Sequence, residues 1–215
     1  MTRFSRSRPG RRRRKKRILV TGQGKETEPN YFRGLRDDAR IASQFVVKVA
    51  PGKGETPLDA VRRAIELARR ARAEGRDMAY DAVFCFLDVE QAGQNPHLDE
   101  ARRLACADGV QVFLSNPAFE VWLLAHLERT AKAFLNGTQL LEYLEKQWLR
   151  AFGGGYEKND PHLYARLGER LDTAIGNARH VRESHFRDEA DLVHCNSATE
   201  VYRAVEFLLG RNSAD

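Results

Sequence analysis

Two scarcities in this 215-residue chain exclude whole classes of protein. Its three cysteines, at positions 85, 106 and 195, show no paired spacing, which excludes a disulfide-stapled secreted domain and predicts a reducing, cytoplasmic setting. No stretch of about 18 apolar residues is present, which excludes a membrane-spanning helix. The basic residues before Ile18 are not followed by the apolar segment of a signal peptide, so we expect no export.

Acidic residues are absent from the first 17 residues, which hold ten of the chain's 36 lysines and arginines. The remaining 198 residues carry 26 basic and 30 acidic side chains, so the basicity is confined to this tail. Residues 1–17 have too little apolar surface to offset the entropy lost on ordering, and we expect them to be disordered in isolation. The tail predicts electrostatic contact with nucleic-acid phosphates, with a solvated extension as the alternative. The arginines assigned to this contact are Arg11, Arg12, Arg13 and Arg14.

The spacing of apolar segments after the tail predicts an α/β fold built on a parallel sheet. The segment AVFCFL at 82–87 is continuously apolar, as expected of a central strand covered on both faces. We predict an α/β core over 18–134 and, from 135 to 215, a part that is helical only and packs on the core. Four strands are expected at 18–21, 44–49, 82–87 and 110–114, followed by helices at 29–41, 58–74, 98–107 and from Pro117, with Asn116 as a helix cap.

Acidic residues follow strands one and three, which are neighbours in the strand order 2-1-3-4 of such sheets. Residues 23–28 (QGKETE) follow strand one, and Asp88 and Glu90 follow strand three. Ligands bind where the strand order reverses, so these groups are expected to face each other across one crevice. Carboxylates gathered there suit Mg²⁺, and a bound ion would activate water and stabilise charge on a phosphodiester. Solvated loop acids, with Glu28 stabilising the first helix, are the alternative.

The glycines near these acids do not form a nucleotide-binding loop. Gly22, Gly24 and Lys25 satisfy neither G-x-G-x-x-G nor G-x-x-x-x-G-K-[ST], because no third glycine follows at the required spacing. The segment PGKGETP at 51–57 is expected to form a turn and a cap, with Lys53 available to a phosphate. Lys158 follows a GGG loop and either contacts the substrate or belongs to ordinary loop structure.

The segment SNPAFEVWLLAHL, residues 115–127, is apolar on all faces of the helix it predicts, so this helix should be largely buried. It carries Glu120 and His126, and buried ionisable groups are destabilising unless they are paired or functional. Glu120 either serves the crevice or accepts hydrogen bonds from neighbouring amides. His126 is expected to be structural.

Five segments together resemble the RloB family, also called RloB-like or AbiLii abortive-infection proteins. They are GKETEPNYF, the acidic pair after strand three, SNPAFEVWLLAHL, YEKND and NSATEVY, and they extend over nearly the whole chain after the tail. The resemblance implies a Toprim-like core, cytoplasmic anti-phage defence in bacteria or archaea, an AAA/ABC-type ATPase partner and metal-dependent nuclease activity.

One position departs from the pattern of this family and of related Toprim enzymes, which is EG-x-x-TE. Gly24, Thr27 and Glu28 match it, whereas Gln23 replaces the first glutamate. Glutamine keeps a carbonyl oxygen for a metal but loses the charge and cannot act as a general base. The Toprim D-x-D pair corresponds to Asp88 and Glu90.

The function predicted from the sequence and the resemblance is a Toprim-like nuclease that cuts RNA or DNA when an ATPase partner releases or positions it. Glu26 or Glu28 supplies the acid missing at position 23, and Glu120 supports the site. The alternative is a catalytically weak subunit that binds nucleic acid or its ATPase through the tail and the crevice. Mg²⁺ or Mn²⁺ is assigned to Gln23, Glu28, Asp88 and Glu90, and phosphate contacts to Lys25, Lys53 and Lys158.

Overall fold

A computed structural model describes residues 14–90, 97–185 and 191–211 of the chain. Within these ranges, five strands form one sheet in the order β2-β1-β3-β4-β5. The first four strands are parallel and β5 runs antiparallel to β4, so the predicted α/β fold and the order of its parallel strands are confirmed. The strands are β1 (Lys16–Gly22), β2 (Phe45–Ala50), β3 (Ala82–Asp88), β4 (Val110–Asn116) and β5 (Ala198–Thr199).

Burial explains why these segments form strands. β1 and β3 are buried over most of their length, which suits apolar runs at the centre of a parallel sheet. β2 alternates between exposed and partly buried residues over most of its length, as expected at a sheet edge. β1 and β3 are adjacent, with Gly22 paired to Phe86, so their carboxyl ends lie side by side.

Helices cover both faces of the sheet. The helices of the described ranges are α1 (Thr27–Arg36), α2 (Ala39–Ala42), α3 (Pro57–Ala73), α4 (His97–Ala107), α5 (Glu120–Ala125), α6 (Gly137–Phe152), α7 (Leu163–Leu167), α8 (Leu171–His185) and α9 (Val201–Leu208). One core packs α3 and α4 against β1, β3 and β4, and the other packs α1 and most of the C-terminal helices on the opposite face. None of the helices described here is long and apolar enough to cross a membrane.

Three local expectations are corrected by the fold. β1 begins at Lys16, so Lys16 and Arg17 belong to the sheet and not to the tail. Asn116 does not cap a helix from Pro117: it ends β4, its Nδ2 donates to the Val193 carbonyl at 3.0 Å, and α5 begins only at Glu120. The part after residue 135 is not helical only, because β5 pairs with the end of β4.

Candidate functional site

Glu28 lies in the first turn of α1, and its carboxylate folds back over the loop that leaves β1. Glu28 is buried, and its Oε1 accepts a hydrogen bond from the Gly24 N–H at 2.9 Å. A Cβ on Gly24 would lie 1.5 Å from Glu28 Oε2. The glycine therefore leaves the space that this carboxylate occupies at the end of the sheet.

The two acids of the β3 end are fixed by backbone hydrogen bonds. The Asp88 carboxylate accepts a hydrogen bond from the Phe119 N–H, and the Asp88 N–H donates to Gln23 Oε1 at 2.7 Å. Glu90 has a φ of 58°, a left-handed conformation that is strained for a residue with a Cβ, and its N–H donates to the Pro117 carbonyl at 2.8 Å. These bonds hold both acids against the segment that follows β4.

Glu120, the first residue of α5, is 7% exposed and pairs with a lysine from the C-terminal half of the chain. Its Oε1 lies 3.5 Å from Lys158 Nζ, which extends from the loop between α6 and α7. About half of the Lys158 side chain is exposed, so the pair contributes little to stability. Its effect is to hold an ammonium group beside the acids.

These side chains meet in one crevice of about 930 Å³ at the carboxyl edge of the sheet. It brings together seven of the residues predicted from the sequence: Lys25, Glu26, Glu28, Asp88, Glu90, Glu120 and Lys158. The remaining described residues that line it are Gly24, Thr27, Gly54, Pro117, Ala118, Phe119, Asn136, Gly137, Thr138 and Leu141.

The crevice is acidic, because its described lining holds five carboxylates and two lysines. Burial raises the pKa of Glu28, and the Glu120 carboxylate adds to this shift. Burial also holds the pKa of Asp88 well above its usual range, with further contributions from Glu28 and Glu120. The ionised forms of these acids repel each other in a poorly solvated place, so a bound cation would stabilise them.

The donor chemistry of the crevice fits a hard divalent cation. Mg²⁺ and Mn²⁺ take oxygen ligands from carboxylates and water, and Glu28, Asp88 and Glu90 offer such oxygens. Among the residues that the structure describes, no group of three or more His, Cys, Asp or Glu side chains is placed to hold a metal ion. The fit therefore rests on the charge and chemistry of these carboxylates.

The other residues predicted to bind metal, phosphate or nucleic acid do not line the crevice or lie outside the described residues. Gln23 does not line the crevice, because its side chain is bonded to the backbone of Asp88. Lys53 is exposed on its loop and lies outside the lining. Arg14 pairs with Asp81 at 3.1 Å. This pair lies before β1 and β3, at the edge of the sheet formed by the amino ends of the parallel strands, about 20 Å along β1 from the crevice. The other assigned tail residues, Arg11, Arg12 and Arg13, lie outside the described residues.

Sequence patterns did not identify some of the residues that support or line the crevice. Arg63 Nε lies 2.5 Å from Glu55 Oε1, and its Nη2 donates to the Gly22 carbonyl at 2.9 Å, so it holds the loop 51–56 against the end of β1. Asn136 and Leu141, at the start of α6, form part of the wall. No local signal identifies Arg63, which is one of several arginines on α3.

His126 has the structural role predicted for it. It is 1% exposed, with Nδ1 2.9 Å from the Trp122 carbonyl and Nε2 3.2 Å from the Tyr31 hydroxyl. Burial lowers the pKa of His126 to about 4, so the ring is neutral at pH 7. It does not line the crevice.

A family model described as RloB-like protein matches residues 18–208, which covers most of the chain and contains every described residue of the crevice. No curated protein and no solved structure matches the chain.

Proposed function

This chain belongs to the RloB-like protein family, and we propose that it is a nuclease that cuts RNA or DNA phosphodiesters with Mg²⁺ or Mn²⁺ bound in the crevice. The observation that carries the proposal is the convergence of four carboxylates, from Glu28, Asp88, Glu90 and Glu120, on one crevice. This is also the edge of an open α/β sheet at which ligands bind.

Each charged group at the crevice has a role in this proposal. Glu28, Asp88 and Glu90 would hold the cation, which when bound polarises the phosphodiester and lowers the pKa of a water. Glu26 is exposed at the crevice and adds a carboxylate to it. Glu120 holds Lys158 in place through their ion pair, and Lys158 and Lys25 bind phosphate oxygens of the substrate strand.

The family resemblance extends the proposal to the cellular context. We place the protein in cytoplasmic anti-phage defence, together with an AAA/ABC-type ATPase that releases or positions it. The free thiols of Cys85 and Cys106 are compatible with a reducing compartment. In this proposal, binding to the ATPase favours a conformation in which the carboxylates of the crevice draw together.

A second candidate is a catalytically weak subunit that binds nucleic acid or its ATPase. Two points favour it: the described acids are not grouped as metal ligands, and Gln23 carries no charge at a position where the family resemblance implies glutamate. Arg14 and the crevice would then act as separate contacts, because Arg14 lies at the opposite edge of the sheet from the crevice.

Replacing Lys158 by methionine is expected to weaken nucleic-acid binding about 10-fold and to reduce the magnitude of the slope of log K against log salt by about 0.7, because one phosphate contact to a single strand is lost. Stability should fall as well, because the buried Glu120 loses the positive charge that lies beside it. Fluorescence anisotropy of a labelled single-stranded oligonucleotide at several KCl concentrations, with Ca²⁺ in place of Mg²⁺, measures both binding quantities. Lys53→Met is the matched control, because Lys53 lies outside the crevice. An equal loss in the two variants would contradict the role given to Lys158.

Incubation of the purified full chain with RNA and DNA in Mg²⁺ or Mn²⁺ tests the nuclease proposal. We expect cleavage that EDTA abolishes and that Glu28→Gln lowers at least about 100-fold. The same assay is run with the ATPase co-expressed from the same operon. Nucleic-acid binding without cleavage, both alone and with the ATPase, would reject the nuclease and favour the second candidate.

A further inference from the structure

Gln23 connects three segments of the crevice wall through its side-chain amide. The residue is 7% exposed and lies in the loop after β1. Its Oε1 accepts from the Asp88 N–H at 2.7 Å, and its Nε2 donates to the Glu55 carbonyl at 3.1 Å. Both ends of the amide are therefore bonded, one to the end of β3 and the other to the loop 51–56.

The backbone around Gln23 reinforces this connection. The Gly54 N–H donates to the Gln23 carbonyl at 2.9 Å, and the Gly52 N–H donates to the Gly24 carbonyl at 2.8 Å. A Cβ on Gly52 would lie 2.2 Å from the Gln23 carbonyl oxygen, so the two loops pack backbone to backbone. The position of Asp88 thus depends on a rigid pair of loops and on one side-chain amide.

Glutamate cannot make both of these bonds. Its ionised carboxylate accepts hydrogen bonds but donates none, so it can replace Gln23 towards the Asp88 N–H but not towards the Glu55 carbonyl. It would also add a charge close to the buried Glu28 and to Asp88. Arg63 bonds to the adjacent Gly22 carbonyl, but its charge already pairs with the Glu55 carboxylate and would not compensate a second acid at position 23.

We infer that Gln23 is a positioning residue that fixes Asp88 at the crevice by bonding its backbone to the loop 51–56, and that glutamine, and not glutamate, is required at this position. The absence of a charge at position 23 then does not mean that a metal ligand has been lost. The expected effect of Gln23 on metal binding rests on the cation site proposed in the same crevice. Its expected effect on folding is independent of that proposal.

Thermal unfolding and Mn²⁺ titration at pH 7.5 of the full-length Gln23→Met and Gln23→Glu variants test this inference. Each variant leaves at least one partly buried backbone group without its partner, so Tm should fall by about 2 °C or more. Mn²⁺ affinity should fall about 10-fold in Gln23→Met, because Asp88 is no longer fixed. Val110→Ala, a buried change at the far end of β4, is the control that should lower Tm without altering Mn²⁺ affinity.

Two results would overturn the inference. One is a Gln23→Met variant with the Tm and the Mn²⁺ affinity of the wild type. The other is a Gln23→Glu variant that keeps the wild-type Tm and binds Mn²⁺ at least 10-fold more tightly, as a restored metal ligand would. A wild-type protein that binds no Mn²⁺ would refute the cation site, and the two Tm values would still test the hydrogen-bonded connection.

Discussion

Replacing Asp88 by asparagine is expected to lower metal-dependent cleavage at least about 100-fold and, at the same time, to raise the free energy of unfolding at neutral pH. The loss of activity follows from the loss of a carboxylate that would hold the cation. The gain in stability follows from burial and from the neighbouring acids, which hold the pKa of Asp88 well above its usual range. Asparagine keeps an oxygen for the Phe119 N–H but carries no charge.

The pH dependence of this gain has a definite sign. Because the pKa of Asp88 is raised in the folded state, that state binds the proton more tightly than the unfolded chain does. The contribution of Asp88 to wild-type stability therefore falls as the pH rises above about 3.9, the ordinary pKa of Asp. The advantage of Asp88→Asn should be present at pH 7.5 and shrink towards pH 4.5.

Urea unfolding at the two pH values and a cleavage assay at pH 7.5 measure these effects. Asp81→Asn is the matched control, since it makes the same chemical change at the opposite edge of the sheet, where Asp81 pairs with Arg14. It should cleave at the wild-type rate and show no gain in stability. An Asp88→Asn variant that cleaves normally, or that is less stable than the wild type at pH 7.5, would contradict the role of this acid.

Replacing Gly24 by alanine is the second change with a large expected effect. The new Cβ would lie 1.5 Å from Glu28 Oε2, so the carboxylate has to leave its position or the backbone has to move. We expect a loss of stability of about 1–3 kcal/mol from this overpacking and a fall in cleavage of at least about 100-fold. Cleavage kinetics and urea unfolding measure the two losses.

A double-mutant cycle identifies Glu28 as the cause. In a Glu28→Ala background the space is open, so Gly24→Ala should then change stability by less than about 0.5 kcal/mol. Gly176→Ala in α8 is the control, because a Cβ there meets nothing within 4 Å, and it should raise stability by about 0.5–1 kcal/mol. Equal effects of Gly24→Ala in both backgrounds would show that the backbone, and not the carboxylate, requires the glycine.

The position of the crevice could be predicted from the sequence because it follows from topology. Adjacent parallel strands end at the same edge of a sheet, so the acids after β1 and after β3 had to lie near each other. The buried segment at 115–127 was equally predictable, since apolar residues surround it on all faces. Its glutamate enters the crevice because α5 begins beside the end of β4.

Tertiary contacts between distant residues could not be predicted. The pairing of Lys158 with Glu120 and the bond from the Asp88 N–H to Gln23 join residues far apart in sequence, and no local pattern encodes either. β5 has two residues, too few for an alternating pattern, and its pairing with β4 is set by packing. Asn116 matched a helix cap in sequence, yet its amide bonds instead to a carbonyl of the segment before β5.

Mn²⁺ titration of the wild-type protein and of Asp88→Asn at pH 7.5, followed by electron paramagnetic resonance, tests the cation site most directly. We predict that the wild type binds Mn²⁺ and that this binding weakens at least about 10-fold in Asp88→Asn. It should be unchanged in Lys53→Met, because Asp88 lines the crevice and Lys53 does not. Equal Mn²⁺ affinity in the wild type and Asp88→Asn, or no binding by the wild type, would contradict a cation site in this crevice.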